Sequence, residues 1–445
     1  MNWLEDRFKK LGAKVAAYEN GRSWTYAEIL LEKNRIKNQL SAIDIAPFSC
    51  IALEEDNLVK VLAGILAVSE LKLIALPIML NLPEGERLQQ KQIAGISNTL
   101  REGKLIESPQ FRMLPPRLVD QLTERGHPGL VLFSSGTSGA PKGMLHDLTE
   151  LLFRYKRVRT RNDSTIQLLL PDHIGGIDSA LRTWLSGSTM IVPKDRTPDK
   201  VGCAVESYSA NVLPATPTFF NLLLLSGALK KYDFSSLEIL TYGAEPMPAK
   251  LLADLSQAFP NANLQQKFGT SETGAIRIKG SRHDTLNFAI KDADVAWQIV
   301  ESELWIKTPS RILGYLNADD SSLEKDGWYR TGDLVDQAAD GSMRIIGRAS
   351  EMINVGGLKV HPSEVESVLL EIQGIQTCKV FGKTNVIAGN QVACQISISK
   401  NRDLRFWKQT IRKHCKDRLA LWKIPSAVEI TSCVQITDRL KHYKK

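Results

Sequence analysis

The chain has 445 residues, of which 43% are hydrophobic and 24% charged, so it resembles an ordinary globular protein large enough for more than one domain. The formal net charge is +8, and the sequence has no run of five like charges. This mild and dispersed charge gives little support for nucleic-acid binding. Six scattered cysteines form no Cys-x-x-Cys pair, which argues against a zinc site and favours a reducing compartment. We therefore expect a cytoplasmic protein that does not bind nucleic acid.

The N-terminal segment is charged and amphipathic, and it lacks the apolar core of a secretory signal. The longest apolar region, residues 61–80, is interrupted by Glu70 and Lys72, so it predicts a helix and a buried strand and not a membrane span. Helix and strand patterns then alternate with short connections as far as the segment LQQKFGTSE. This alternation predicts parallel sheets covered by helices.

The pattern changes at about residue 292, where short strands alternate with Gly-rich turns and predict a small antiparallel, barrel-like part. A new cycle of helices and strands fills the last ninety-odd residues. We therefore predict an α/β fold with a large N-terminal domain over residues 1–346, a boundary segment at 347–351 and a small α+β domain over 352–445.

An unusual stretch, residues 129–147, begins as an apolar strand and continues into a loop of glycines and hydroxyl residues that ends in Pro-Lys-Gly. Backbone N–H groups of such a loop converge on one point and form an anion site. The loop therefore predicts a polyphosphate site, although its spacing is not that of a Walker P-loop. Its candidate ligands are Ser134, Ser135, Gly136, Thr137, Ser138, Gly139 and Lys142.

The loop sequence SSGTSGAPKG resembles the phosphate-loop signature of the adenylate-forming superfamily, which includes acyl- and aryl-CoA synthetases. Three more segments resemble elements of that family in the same order: 268–274, 327–334 and 345–366. The resemblance covers roughly residues 130–445, while the first 125 match only loosely. It implies an AMP-forming ligase that uses ATP, Mg²⁺, a small carboxylic acid and CoA, with the pantetheine of an acyl carrier protein as the alternative acceptor.

The matching segments contain residues suited to ATP. Glu272 follows a strand in a hydroxyl-rich turn, where a carboxylate can bind Mg²⁺ together with phosphate oxygens. Asp333 lies in a tight turn and can accept hydrogen bonds from both ribose hydroxyls. By resemblance, Phe268 would stack on adenine, Ser271 would contact the α-phosphate and Arg348 would supply a second ribose contact.

The implied reaction needs charge neutralisation more than proton transfer, because a carboxylic acid is already ionised at neutral pH. Lys142, the loop amides and Mg²⁺ would neutralise the departing pyrophosphate. The resemblance also implies a second catalytic lysine near the C-terminus, and Lys441 has the expected spacing although Leu440 replaces the usual glycine. Lys444 and Lys445 are alternatives.

The family's small domain rotates between its two half-reactions, which makes residues 347–351 the predicted hinge and 352–445 a mobile domain. The hinge position that is commonly Asp or Lys is Ser350 here. Gly356 and Gly357 fall on the surface expected to border the tunnel for the thiol.

The acid pocket is predicted from residues 168–184, where His173 takes the place of the family's gating residue. Ile174 stands where amino-acid-activating members have an aspartate, which argues against an α-amino acid. Asp178 and Arg182 lie one helical turn apart and either pair with each other or contact a polar substituent of the acid. The other predicted pocket residues are Thr216, Pro217, Gly243, Ala244 and Gly269, and Gly243 and Gly269 are also expected to contact ATP.

This pocket predicts a compact and mainly apolar acid, either aryl or short- to medium-chain acyl. A non-catalytic nucleotide-binding protein is the main alternative, because Leu440 and Ser350 depart from the family pattern. We expect a monomer or a homodimer.

Overall fold

The computed structural model describes residues 2–107, 111, 113–134, 141–280, 286–385, 389–399 and 402–431. Its first elements alternate between helices and strands. They are α1 (Asn2–Leu11), β1 (Val15–Glu19), β2 (Arg22–Thr25), α2 (Tyr26–Ser41), β3 (Cys50–Glu54), α3 (Leu58–Glu70), β4 (Ile74–Ile78), α4 (Glu84–Ile93), β5 (Ile96–Arg101) and β6 (Lys104–Glu107). None of the described helices is long and apolar enough to cross a membrane.

The alternation continues through the middle of the chain. These elements are α5 (Pro116–Arg125), β7 (Gly129–Ser134), β8 (Lys142–Asp147), α6 (Leu148–Phe153), β9 (Ser164–Ile166), α7 (Ile174–Leu185), β10 (Thr189–Ile191), α8 (Pro198–Tyr208), β11 (Val212–Ala215), α9 (Pro217–Leu225), α10 (Ala228–Lys231), β12 (Ile239–Tyr242), α11 (Ala249–Ala258), β13 (Asn263–Gln266), β14 (Phe268–Thr270), β15 (Gly274–Ile276) and β16 (Ile278–Gly280).

Two seven-stranded sheets organise these elements, in the orders β13-β12-β11-β9-β10-β1-β2 and β20-β8-β7-β4-β3-β5-β6, where β20 is Gly314–Tyr315. All neighbours in the first sheet are parallel except β1 and β2. In the second sheet the central pairs are parallel, whereas the pairs at both edges are antiparallel. The predicted parallel α/β core is therefore confirmed, and antiparallel pairs occur only at the sheet edges, some between strands joined by a short turn, such as β1 with β2 and β5 with β6.

Helix α3 belongs to the largest hydrophobic core, which also contains residues of α7, β1 and β7. The Asn57 side chain caps its N-terminus by accepting a hydrogen bond from the backbone N–H of Lys60. Apart from Lys60 and Glu70, all residues of the helix are buried. A helix that is apolar on every side is stable only when it is buried, so burial of α3 and of the following strand β4 explains the apolar character of residues 61–80.

The segment predicted to be barrel-like is a six-stranded antiparallel sheet with the order β16-β17-β22-β21-β19-β18, and its ends are not paired with each other among the described residues. Its remaining strands are β17 (Phe288–Ile290), β18 (Ala296–Val300), β19 (Glu303–Lys307), β21 (Tyr329–Gln337) and β22 (Met343–Arg348).

The C-terminal elements form a separate hydrophobic core, as predicted for an α+β unit. They are β23 (Ile353–Val355), β24 (Leu358–Val360), α12 (Pro362–Leu370), β25 (Ile375–Asn385), β26 (Gly389–Ile398), α13 (Leu404–Cys415) and β27 (Ala427–Thr431). The short hairpin β23–β24 is not predicted from the sequence. Its two-residue turn, Gly356 and Gly357, has φ angles of 57° and 88°, which match the type I′ turn that favours glycine.

Candidate active site

The predicted phosphate loop connects two antiparallel strands. Ser134, the last residue of β7, pairs with Lys142, the first residue of β8. Five predicted phosphate ligands lie outside the described residues: Ser135, Gly136, Thr137, Ser138 and Gly139. Lys142 is half-buried and forms no ion pair among the described residues, so its charge is available at the base of the loop.

Asn317, which is far away in the sequence, holds the C-terminal end of this loop. Asn317 donates a hydrogen bond from Nδ2 to the carbonyl oxygen of Pro141, and its Oδ1 accepts from the N–H of Gly143, both at 2.9 Å. A Cβ atom at Gly143 would lie 2.9 Å from the side chains of Phe133 and Leu316, so a larger residue there would require these side chains to shift. Asn317 was missed because nothing in its local sequence indicates this contact.

The carboxylate of Glu272 is held at a defined position. The hydroxyl group of Tyr315 donates to Glu272 Oε1 at 2.9 Å. Burial and the charge of Glu272 raise the pKa of Tyr315, so this phenol remains a donor at neutral pH. Tyr315 belongs to β20 and pairs with Met144 of β8, which connects Glu272 to the phosphate loop. Sequence analysis did not identify Tyr315.

The two predicted ribose contacts lie side by side. Asp333 on β21 is opposite Arg348 on β22, and Arg348 Nε lies 3.0 Å from Asp333 Oδ1. Burial raises the pKa of Asp333, whereas the adjacent guanidinium group opposes this shift. The Asp333 side chain is 8% exposed and that of Arg348 is 52% exposed, so the ion pair lies at the protein surface with its acidic member inward.

Phe268, the residue predicted to stack on adenine, is largely covered by protein. The Phe268 ring stacks on Phe288 with 5.3 Å between centroids, and Phe268 is 6% exposed. Its stacking on adenine therefore remains a prediction. The neighbouring Ser271 is half-buried in the turn that contains Glu272.

The predicted acid pocket gathers at the carboxyl ends of β11, β12 and β13, the edge where parallel sheets usually bind ligands. Thr216 and Pro217 begin helix α9, and the Thr216 hydroxyl oxygen accepts from Phe219 N at 3.1 Å. Both residues are buried, so their place in the acid pocket remains a prediction.

Close backbone contacts explain the predicted small residues of this edge. A Cβ atom at Gly243 would lie 2.7 Å from the carbonyl oxygen of Lys267, and one at Gly269 would lie 2.4 Å from that of Gly274. Ala244 is exposed and has a φ of 67°, a left-handed conformation that is strained for alanine.

Helix α7 carries the remaining predicted pocket residues. His173 is half-buried at its N-cap position. The predicted pairing of Asp178 with Arg182 is confirmed, with 3.7 Å between Asp178 Oδ2 and Arg182 Nε. Sequence analysis missed Tyr155, which is buried and donates from its hydroxyl group to Asp178 Oδ1 at 2.6 Å. Burial acts to raise the pKa of Asp178, but Arg182 and Arg154 lower it more, so the carboxylate is ionised.

Lys267 also belongs to this edge and was not predicted. Its backbone N–H donates to the carbonyl oxygen of Tyr242 at 2.7 Å, so it directly follows the paired part of β13. Its side chain is solvent-accessible, yet the surrounding protein desolvates the ammonium group. This desolvation and the nearby charge of Arg182 lower the pKa of Lys267.

The predicted hinge residue and the predicted thiol-tunnel residues lie in short surface segments. Ser350 is exposed in a single 3₁₀ turn that follows Arg348. Gly356 and Gly357 are exposed in the turn of the β23–β24 hairpin. Lys441 and its alternatives Lys444 and Lys445 lie outside the described residues.

Comparisons with known proteins identify the family of this chain. The profile of the AMP-binding enzyme family matches residues 4–316, and that of the AMP-binding enzyme C-terminal domain matches residues 364–440. Acyl-CoA synthetase 7 of Caenorhabditis elegans is 30% identical over 336 residues, which are 68% of this chain but only 62% of that protein. Indoleacetate–CoA ligase of Aromatoleum aromaticum is 25% identical over 479 residues, which cover 96% of this chain and 93% of the ligase.

A solved structure of an anthranilate CoA ligase in complex with anthranoyl-AMP has a similar fold. The TM-score is 0.81, and the superposition covers 99% of this chain and 95% of the other. The two sequences are 18% identical, so this likeness concerns the fold alone.

Proposed function

Because the chain belongs to the AMP-binding enzyme family, we propose that it is an ATP-dependent, AMP-forming ligase that joins a carboxylic acid to a thiol. One observation supports this function most strongly. Tyr315 pairs with the strand that follows the phosphate loop, and its hydroxyl group holds Glu272. The charge of Glu272 in turn acts on the pKa of both Asp333 and Arg348. These contacts and charges support the assignment of the groups suited to phosphate, metal and ribose to one site.

In the first step, a carboxylate oxygen of the acid forms a bond to the α-phosphorus of ATP. The bond between this phosphorus and the oxygen that bridges to the β-phosphate breaks, and pyrophosphate leaves with the electron pair. No general base is required, because the acid is already ionised. The protein's contribution is alignment of the two reactants and positive charge for the leaving group, which we assign to Lys142 and the loop amides.

In the second step, the sulfur of a thiol bonds to the acyl carbon of the adenylate. The acyl carbon–oxygen bond breaks, AMP leaves with that oxygen, and the thiol proton passes to solvent. We propose CoA as the acceptor and the cytoplasm as the location, and we assign Gly356 and Gly357 to the thiol tunnel. Rotation of residues 352–445 about residues 347–351 would bring this hairpin to the adenylate.

Glu272 fits a magnesium ion, because its half-buried carboxylate is held by the Tyr315 hydroxyl and lies in a turn beside hydroxyl-bearing residues. Bound there, Mg²⁺ would offset phosphate charge. The protein's own part is to fix the position of the carboxylate, which the Tyr315 hydrogen bond does.

The proposal is tested by measuring pyrophosphate and AMP release with a panel of carboxylic acids, with and without CoA. We expect acid-dependent pyrophosphate release and CoA-dependent thioester formation. Release of ADP, or nucleotide binding without any acid-dependent release, would contradict the ligase function. Thioester formation only with a pantetheine-bearing carrier protein would replace CoA as the acceptor.

Lys441 is tested in the same assay. We expect Lys441→Ala to suppress adenylate formation while nucleotide binding persists, and Lys444→Ala to have little effect. Normal adenylation by Lys441→Ala would assign the second catalytic lysine elsewhere.

A further inference from the structure

One side chain binds the peptide groups on both sides of Lys142. The Oδ1 atom of Asn317 accepts from the N–H of Gly143, and its Nδ2 atom donates to the carbonyl oxygen of Pro141, both at 2.9 Å. A backbone N–H can only donate and a carbonyl oxygen can only accept, so these two partners fix which end of the amide faces which neighbour. Lys142 therefore lies between two backbone groups that Asn317 holds.

The Asn317 amide continues a strand pairing beyond its last backbone contact. Tyr315 pairs with Met144, and the N–H of Leu316 donates to the carbonyl oxygen of Gly143 at 2.8 Å. At the next position, the side chain of Asn317 takes the place of a backbone peptide group, with its carbonyl as acceptor and its NH₂ as donor. Only asparagine and glutamine carry such a group. The pairing thus extends to the base of the phosphate loop.

The same short segment also holds the carboxylate of Glu272. Tyr315, two positions before Asn317, donates from its hydroxyl group to Glu272 Oε1 at 2.9 Å. The backbone N–H of Tyr315 donates to Asp320 Oδ1 at 2.8 Å, which anchors the segment from its other side. The backbone of Lys142 and the carboxylate of Glu272 are therefore tied to one segment by direct hydrogen bonds.

We propose that Asn317 is a positioning residue for adenylate formation, which keeps the Lys142 ammonium group where pyrophosphate leaves. The inference rests on the proposed ligase function. Charge stabilises a transition state best when it is already in place before the reaction. Lys142 forms no ion pair in the part of the chain that the structure describes, so no counter-ion fixes its position. The backbone on which it stands does this instead, through Asn317.

The test measures the two half-reactions separately, with the acid that gives the fastest pyrophosphate release. Asn317→Ala should lower kcat for pyrophosphate release about tenfold, with a smaller change in KM for ATP. Thioester formation from the supplied acyl-adenylate should keep its rate, because pyrophosphate takes no part in that step. Asn317 is exposed, so its substitution leaves the hydrophobic cores unchanged.

Two further variants define which contact matters. Asn317→Asp can accept from Gly143 but cannot donate to Pro141, so adenylate formation should slow about as much as in Asn317→Ala. Asn34→Ala, at an exposed position on α2, is the matched control and should retain both rates. Wild-type adenylation by both Asn317 variants would overturn the proposal.

A double-mutant cycle shows whether Asn317 acts through Lys142. In protein that already carries Lys142→Met, Asn317→Ala should slow pyrophosphate release by less than about twofold. A full tenfold loss in that background, or equal slowing of both half-reactions, would overturn the positioning role and leave the ligase function intact. Absence of pyrophosphate release with every acid, from folded wild-type protein that binds ATP, would overturn the proposed function and this inference with it.

Discussion

The nucleotide half and the acid half of the site differ in how their charges are balanced. In the nucleotide half, Asp333 pairs with Arg348, and Glu272 accepts from Tyr315. In the acid half, Asp178 pairs with Arg182. The comparison teaches that the carboxylates Glu272 and Asp333 are held by protein contacts, whereas Lys142 in the nucleotide half and Lys267 in the acid half have no ion partner among the described residues.

The largest expected effect on activity comes from breaking the nucleotide half. Glu272→Gln keeps an oxygen that can accept from Tyr315 but loses the negative charge expected to bind Mg²⁺. We expect the rate of pyrophosphate release to fall about a hundredfold or more while the fold is kept. Steady-state kinetics and circular dichroism measure this. Glu124→Gln, an exposed position on α5, is the control, and equal rates for both variants would contradict the assigned role.

A smaller effect is expected from breaking the Asp333–Arg348 pair with Arg348→Met. We expect KM for ATP to rise about tenfold, because a ribose contact and the orientation of Asp333 are lost. Kinetics at varied ATP concentration measure this, and a change confined to KM for the acid would contradict the assignment of this pair to the nucleotide.

The same variant has a pH-dependent effect on stability. Burial already raises the pKa of Asp333 above its usual 3.8, so its ionisation lowers stability as pH rises from 3.8 through the folded-state pKa. Arg348 opposes this shift. In Arg348→Met, the ionisation of Asp333 should therefore lower the free energy of unfolding at neutral pH by about 1–2 kcal/mol more than in the wild type. Below the usual pKa the carboxyl is protonated in both folded and unfolded protein, so the added loss should vanish. Thermal unfolding of both proteins at neutral and acidic pH tests this, and an equal loss at both would contradict it.

The predicted thiol tunnel, which belongs to neither half, is tested at the β23–β24 turn. Gly357→Ala places a side chain at a φ of 88°, which strains the backbone by roughly 1 kcal/mol. If this hairpin borders the tunnel, thioester formation should slow about fivefold while adenylation is unchanged. Gly341→Ala, with a φ of 80° in another turn, is the matched control. Equal slowing of both half-reactions by Gly357→Ala would contradict a role limited to the thiol.

The smallest effect on activity is expected at Glu19, a buried carboxyl that accepts from the backbone N–H groups of Leu58 and Val59. Burial raises its pKa from 4.5 to about 7, so wild-type stability should fall as pH rises through this interval. Glu19→Gln removes this titration. The free energy of unfolding of the variant, relative to that of the wild type, should therefore increase by about 2 kcal/mol from pH 5 to pH 8, and activity should stay normal. A constant stability difference across this range, measured by denaturant unfolding, would contradict the assigned pKa shift.

Features that depend on neighbouring residues were predicted from the sequence. The apolar pattern of residues 61–80 identified a buried helix and strand, and the spacing of Asp178 and Arg182 predicted an ion pair that is confirmed. Contacts between distant residues were not accessible in this way. Asn317 lies 174 positions from Gly143, and Tyr315 lies 43 positions from Glu272, so no local pattern reports either contact.

Lys267 shows the same limit. In the sequence it is one lysine beside a recognisable motif, and only the contacts of its backbone with Tyr242 and Gly243 place it at the strand ends where the predicted pocket residues lie. The antiparallel edges of the second sheet have a similar origin. One of them joins β20 to β8, which lie far apart along the chain, and the alternation of helix and strand does not specify such a pairing.

The central claim is that a carboxylate oxygen attacks the α-phosphorus of ATP in this site. The most direct test uses an acid whose carboxylate carries a heavy-oxygen label, with mass analysis of the nucleotide after thioester formation. The account predicts that a labelled oxygen appears in AMP and none in pyrophosphate. Label in inorganic phosphate with formation of ADP, or unlabelled AMP, would contradict it.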